Sequence, residues 1–222
     1  MKVLIYTEDA YNELPAELAK RILKKHVPGA YAEAAQGSIG EWKDEEELKR
    51  LVQEAATDGC DCVIFLIDRE GSEFRSPGRP KLLRDICTAF QQLCQEGIAG
   101  NVRVALVIAS PCIESWLLGD VDGLIEYARG PKGLHRFTGK GFCRCPTDQE
   151  DNPQTRIQEL FNQVAKDTGS RPKTYQKSQQ REIAQHIDPD RICNKSFHYF
   201  RDFLLGKVDG CDDPCQQLRS KE

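Results

Sequence analysis

A chain of 222 residues that is 39% hydrophobic and 30% charged, with 17 glycines and 11 prolines, has the composition of a folded globular protein, which excludes a disordered or fibrous one. Its formal net charge of -4 is unevenly spread: residues 1–128 carry 14 Lys/Arg against 22 Asp/Glu, and residues 129–222 carry 17 against 13. No stretch approaches the roughly 18 apolar residues of a membrane span, and the amino terminus runs into Glu8 and Asp9 without a secretory apolar region, so a cytoplasmic protein with no membrane association is expected.

In chain order, Lys2 to Tyr6 reads as a buried strand. Pro15 to His26 carries Leu18, Ile22 and Leu23 at helical spacing and stops at Pro28-Gly29. A weaker strand around Tyr31 to Ala35 precedes a helix over 44–57, with Leu48, Leu51, Val52 and Ala55 on one face. The run Cys62 to Ile67 is short, continuous and rich in branched residues, as in a central parallel strand. A loop from Gly71 to Pro80 opens a helix through Leu82, Ile86, Phe90 and Leu93, and Val102 to Ile108 is the last clear strand.

Beyond Glu114 the pattern becomes helical, through Trp116-Leu117-Leu118 and near 153–167, 177–186 and 196–205. The alternation over residues 1–128 predicts an α/β fold with a mostly parallel sheet flanked by helices. Residues 129–222 are read as a basic loop and helical elaboration packed on that core in one compact body, and the tail from Gly206 as peripheral. The basic surplus crowds a Gly-rich stretch with Arg129, Lys132, Arg136, Lys140 and Arg144, a loop suited to a phosphate backbone and equally to plain solvation.

Ten cysteines in a chain of this size are read mainly as free thiols, with Cys60, Cys62, Cys87, Cys94 and Cys112 in or beside apolar runs. Cys143-Arg144-Cys145 and Cys211 with Cys215 lack the usual knuckle spacing, so a structural Zn²⁺ is not expected.

Three strand-like runs end in carboxylates: Glu8 after the first, Asp68 and Glu70 after the central one, and Glu114 after the last. Ligands of open parallel sheets gather beyond the carboxyl ends of the strands, so these four acids are expected to converge on one crevice. Asp68 and Glu70, two apart, would face one side of an extended segment. Clustered carboxylates repel one another, and Mg²⁺ or Mn²⁺ would stabilise them. Each also has a plainer reading, Glu8 as a helix cap above all. Pro111 would start a helix near Cys112 and place its free N–H groups near phosphate. Lys173 and Lys177, four apart, would share a face if helical and could reach that phosphate, although a solvated cationic face has the same pattern. His198, among Phe197, Tyr199 and Phe200, is read as a satisfied boundary histidine.

The stretches Tyr6-Thr7-Glu8-Asp9, Asp68-Arg69-Glu70 and Pro111-Cys112-Ile113-Glu114-Ser115-Trp116-Leu117-Leu118 resemble, in order and wording, the Toprim-type metal-dependent nucleases, especially RloB-like proteins found among bacterial defence-associated genes. The resemblance covers roughly residues 2–128, with weaker similarity near 173–177 and 196–200. It implies a Toprim-like, Rossmann-like core and metal-dependent phosphodiester hydrolysis of DNA or RNA. In it Glu8 looks like the general acid/base or a second-metal ligand, Asp68 and Glu70 like Mg²⁺ ligands, and Glu114 like a further carboxylate of the same crevice. Arg136, Lys140, Lys173 and Lys177 are the expected nucleic-acid or phosphate contacts. Glu70 stands where the family often has Asp, and Asp9 where a glycine often follows the first glutamate, changes that could favour Mn²⁺ or weaken catalysis. The competing readings are a noncatalytic nucleic-acid or nucleotide-binding module and a structural component of a multiprotein defence assembly with a protein partner; a homodimer is left open.

Overall fold

The computed structural model describes residues 1–8, 13–69, 78–97, 101–130, 142 and 146–211. Four strands, β1 (Lys2–Thr7), β2 (Tyr31–Gln36), β3 (Cys62–Asp68) and β4 (Arg103–Ala109), form one sheet in the order β2-β1-β3-β4, and all three pairings are parallel. Helix α1 (Leu14–His26) connects β1 to β2, α2 (Glu45–Thr57) connects β2 to β3, and α3 (Arg79–Glu96) connects β3 to β4. The expected alternation is present, and the described residues beyond β4 are helical or irregular.

Residues two apart on a strand face the same way, and the sheet divides its two cores by that rule. On β3, Cys62, Ile64 and Leu66 enter one core with α1, while Val63, Phe65 and Ile67 enter the other with α2 and α3. Strand β4 repeats the pattern, with Ala105 and Val107 in the first core and Leu106 and Ile108 in the second. The chain therefore leaves β1 toward one edge and later crosses to β3 on the other side. The order reverses between β1 and β3, which opens a crevice at their carboxyl ends.

The first core is completed by α4 (Glu114–Leu117), α5 (Val121–Arg129), α6 (Pro153–Thr168), α7 (Gln180–Ala184) and α8 (Lys195–Leu204). Local chemistry sets their ends. Asp120 accepts from Gly123 N before α5, Asn152 from Thr155 N before α6, and Asn194 from Phe197 N before α8. The acidic run Asp44–Glu47 opens α2: Asp44 accepts from Glu46 N, and Lys49 and Arg50 pair with Glu45, Glu46, Glu47 and Glu54.

Two expectations are corrected. The segment after α8 is not peripheral as far as Cys211. Gly210 lies so close to β4 that a Cβ there would sit 1.8 Å from Val104 O, and the Tyr199 hydroxyl donates to Gly210 O at 3.2 Å. Val208 packs on the first core and Cys211 on the second, so the segment passes around the β4 edge. Nor is Cys94, read with the free thiols, a thiol. Cys60, Cys62 and Cys112 are free thiols, but Cys94 of α3 is bonded to Cys211, and Cys193 is also disulfide-bonded. Sequence alone could not bring Cys94 and Cys211 together, since they are 117 residues apart. No helix among the described residues is long and apolar enough to cross a membrane.

The Cys94–Cys211 bond closes a long loop, and removing such a bond typically lowers stability by about 2–5 kcal/mol. Cys94→Ser and Cys211→Ser are each expected to lose that amount in urea unfolding. The double variant should be no less stable than either single one, because all three lack the same bond.

Candidate active site

Glu8 follows β1, Asp68 ends β3, and Glu114 opens α4 just after the Ser110–Ile113 loop that leaves β4. The sheet thus brings these three expected acids to one crevice. Glu70 lies outside the described residues, as do Arg136 and Lys140.

Glu8 is engaged. Its Oε1 accepts from Asp68 N at 2.9 Å, its Oε2 accepts from Arg79 Nη1 at 3.0 Å, and Arg79 Nη2 donates both to Glu8 Oε1 and to Asp68 O. Arg79 is the first residue of α3, so this fork ties the ends of β1 and β3 to that helix. A glutamate expected as an acid/base or metal ligand is therefore held by a guanidinium.

Asp68 and Glu114 differ. Asp68 Oδ1 accepts from Ile113 N at 2.8 Å. Glu114, 1% exposed, accepts at Oε1 from Gln154 Nε2 at 2.9 Å and Gln180 Nε2 at 3.3 Å. Among the described residues, no lysine or arginine forms a salt bridge with either acid. Burial pushes the Asp68 carboxyl well above its usual range, and the nearby charges of Glu114 and Glu8 push it further; the Ile113 amide and the Lys177 ammonium pull weakly the other way. Burial, with Glu114 next, likewise raises the Cys112 thiol and the Tyr175 hydroxyl, keeping both protonated.

The Ile113 bond corrects one expectation. Helix α4 spans four residues, and the amide at its start is taken by Asp68 instead of facing phosphate. A second correction concerns Lys173 and Lys177. The chain before Lys177 is extended and a 3-10 turn covers Lys177–Gln179, so the two lysines share no helical face. Lys173 Nζ donates to Tyr127 O at 2.7 Å and lies 3.8 Å from the Tyr127 ring centroid, whereas Lys177 acts on Asp68. His198 is satisfied by Ile192 O at 2.8 Å.

The loop after β4 is clamped from α8. Asn194 Nδ2 donates to Ser110 O at 3.0 Å and Ser115 Oγ at 2.9 Å, while the Ser196 hydroxyl accepts from Trp116 Nε1 at 2.9 Å. These bonds fix the turn that delivers Glu114. The Trp116 ring is fully buried in the first core.

Among the described residues, no three His, Cys, Asp or Glu side chains are grouped as a metal centre. Of the four expected carboxylates, Glu70 lies outside the described residues and Glu8 is turned to Arg79, which leaves Asp68 and Glu114. The remaining pair still suits Mg²⁺ or Mn²⁺, since Mg²⁺ is commonly held by one or two carboxylates with water and substrate phosphate completing the shell. Gln180 adds a buried amide oxygen with no hydrogen-bond partner among the described residues.

Sequence reading missed Arg79, Gln154, Gln180 and Asn194. Asn194, before an apolar aromatic run, carried a helix-cap signal; the glutamines carried none.

The description of a family domain matches residues 11–206, a span that contains Asp68, Glu114, Gln154 and Gln180. The chain belongs to the family described as Domain of unknown function (DUF4276). No curated protein and no solved structure matched it.

The raised carboxyl of Asp68 has a stability consequence. A folded-state value above the unfolded 3.8 means that the native state holds its proton more tightly. Stability then falls as pH rises from about 4 through the folded-state value. Asp68→Asn keeps the acceptor for Ile113 N and removes the charge, so it should melt higher than wild type at neutral pH. That advantage should vanish below about pH 4, as thermal melts across the range would show.

Proposed function

We propose that this DUF4276 protein is a Toprim-like, metal-dependent phosphodiesterase of nucleic acid. The observation that carries this reading is the Asp68–Glu114 pair, two acids of which one is fully buried, set at the switch point of a parallel sheet and bridged by no cation among the described residues. Keeping such a pair ionised is unfavourable unless a ligand supplies positive charge. Asp68 and Glu114 would hold the ion, with Glu70 as a further ligand. When bound, it would neutralise charge developing on the scissile phosphate and lower the pKa of an attacking water.

The chain's own groups have separate tasks. Gln154 and Gln180 orient Glu114 with neutral donors. Arg79 fixes Glu8 and the end of β3, and Lys177 supplies positive potential beside Asp68. Arg136 and Lys140 would extend phosphate contact. DNA or RNA is the substrate class, and a defence setting follows from the resemblance. The reading assumes the cytoplasm; the Cys94–Cys211 disulfide is the observation against that compartment.

Engagement of Glu8 by Arg79 favours a second reading, a noncatalytic nucleic-acid-binding module, since it leaves no evident general base on β1. Calorimetry with Mg²⁺ and Mn²⁺, followed by cleavage assays on DNA and RNA, separates the two. Wild type is expected to bind the ion, and Asp68→Asn and Glu114→Gln, still folded, to bind it at least tenfold more weakly and to lose cleavage. Metal-independent binding of nucleic acid without cleavage would support the binding module instead.

A further inference from the structure

Opposite the two acids, an extended segment is built to present hydrogen-bond donors. The Gln158 side chain on α6 treats residues 173–175 as a strand partner: its Oε1 accepts from Tyr175 N at 2.8 Å and its Nε2 donates to Lys173 O at 3.0 Å. The segment's backbone is thereby fixed to α6. At the far end of the tyrosine, Gln180 Nε2 donates to the hydroxyl at 2.8 Å while also reaching Glu114 Oε1 at 3.3 Å. Gln180 is 1% exposed, so this amide is a rigid bridge between the tyrosine and the acid pair.

Accounting for the protons is informative. A phenol oxygen that accepts the Gln180 amide has its own O–H left to give. Among the described residues, the Tyr175 hydroxyl donates to none. It lies in the electrostatic reach of Glu114, Cys112 and Asp68, and Lys177, two residues further on, acts on Asp68. Buried hydrogen-bonding groups are ordinarily paired, and one left over at a crevice calls for an acceptor from outside.

We propose that the Tyr175 hydroxyl is a substrate contact, donating its proton in a hydrogen bond to an anionic oxygen of a phosphate held between the 173–177 segment and the Asp68–Glu114 pair. This rests on the metal-dependent reading above, because a phosphate approaches two carboxylates only when a cation lies between them. Gln158 and Gln180 are positioning residues for the contact. A neutral donor suits this place: it meets the anion without forming an ion pair with Glu114 that would compete for the metal.

The test is a phosphorus NMR titration of inorganic phosphate with Mg²⁺ present, paired with calorimetry of Mg²⁺ alone, on wild type, Tyr175→Phe and Gln158→Ala. Tyr175→Phe removes only the hydroxyl. It is expected to bind phosphate about tenfold more weakly, the usual effect of losing a hydrogen bond to a charged group, with Mg²⁺ affinity within twofold of wild type. Gln158→Ala keeps the hydroxyl and frees the segment, and should weaken phosphate in the same direction while sparing Mg²⁺. Wild-type phosphate affinity in Tyr175→Phe, or wild type that binds Mg²⁺ but no phosphate, overturns the contact and leaves the metal reading standing. Wild type that binds no Mg²⁺ even with phosphate present overturns both.

Discussion

A parallel sheet has to be covered on both faces, because its crossovers leave neither side polar. In this chain that requirement organises almost everything else. Helix α1 covers one face and α2 with α3 cover the other, and the change of side creates the gap between the ends of β1 and β3. Helix α1 could not fill the first face alone. The helices after β4 close the deficit, and in doing so they bring Gln154, Tyr175 and Gln180 to the mouth of the gap. The site is thus a by-product of how the core is completed.

Charge in that gap is divided into two regimes. Glu8 is matched with Arg79, a forked pair that also grips the carbonyl of Asp68, so the first acid acts as a structural anchor. Among the described residues, Asp68 and Glu114 receive hydrogen bonds from neutral donors: a backbone amide for one, two glutamine amides for the other. Neutral donors satisfy lone pairs and fix orientation without cancelling charge. The result is a pair of acids inside a well-ordered wall whose joint ionisation is unfavourable, as the raised Asp68 carboxyl shows.

Much of the framework was readable from residue order. The apolar run at Cys62–Ile67, bounded by Gly59 and the acids, could only be a short buried strand, and the positions of Glu8, Asp68 and Glu114 after their strands follow from it. What was hidden depends on distance along the chain. Arg79 reads as the residue before a helix-starting proline, and its partner lies 71 positions away. Gln154 and Gln180 meet an acid 40 and 66 residues earlier, and glutamine has no signature that announces such a role. For Lys173 and Lys177 the helical condition for a shared face fails for a local reason. Four-residue spacing suggests a helix, but the Gln158 side chain offers the backbone a strand-like alternative that no periodicity reveals.

The bond between Cys94 and Cys211 also changes the connectivity of the molecule. It joins α3 to the segment that rounds the β4 edge, so the covalent ring contains β4, the clamped loop, Glu114 and every helix from α4 to α8. A single peptide cleavage anywhere in that ring yields two fragments that remain one covalent object until the bond is reduced. The half of the site carried on the ring cannot drift away from the half carried on β1 and β3, and nicked protein would keep the same mass under non-reducing conditions while separating into two pieces under reducing ones.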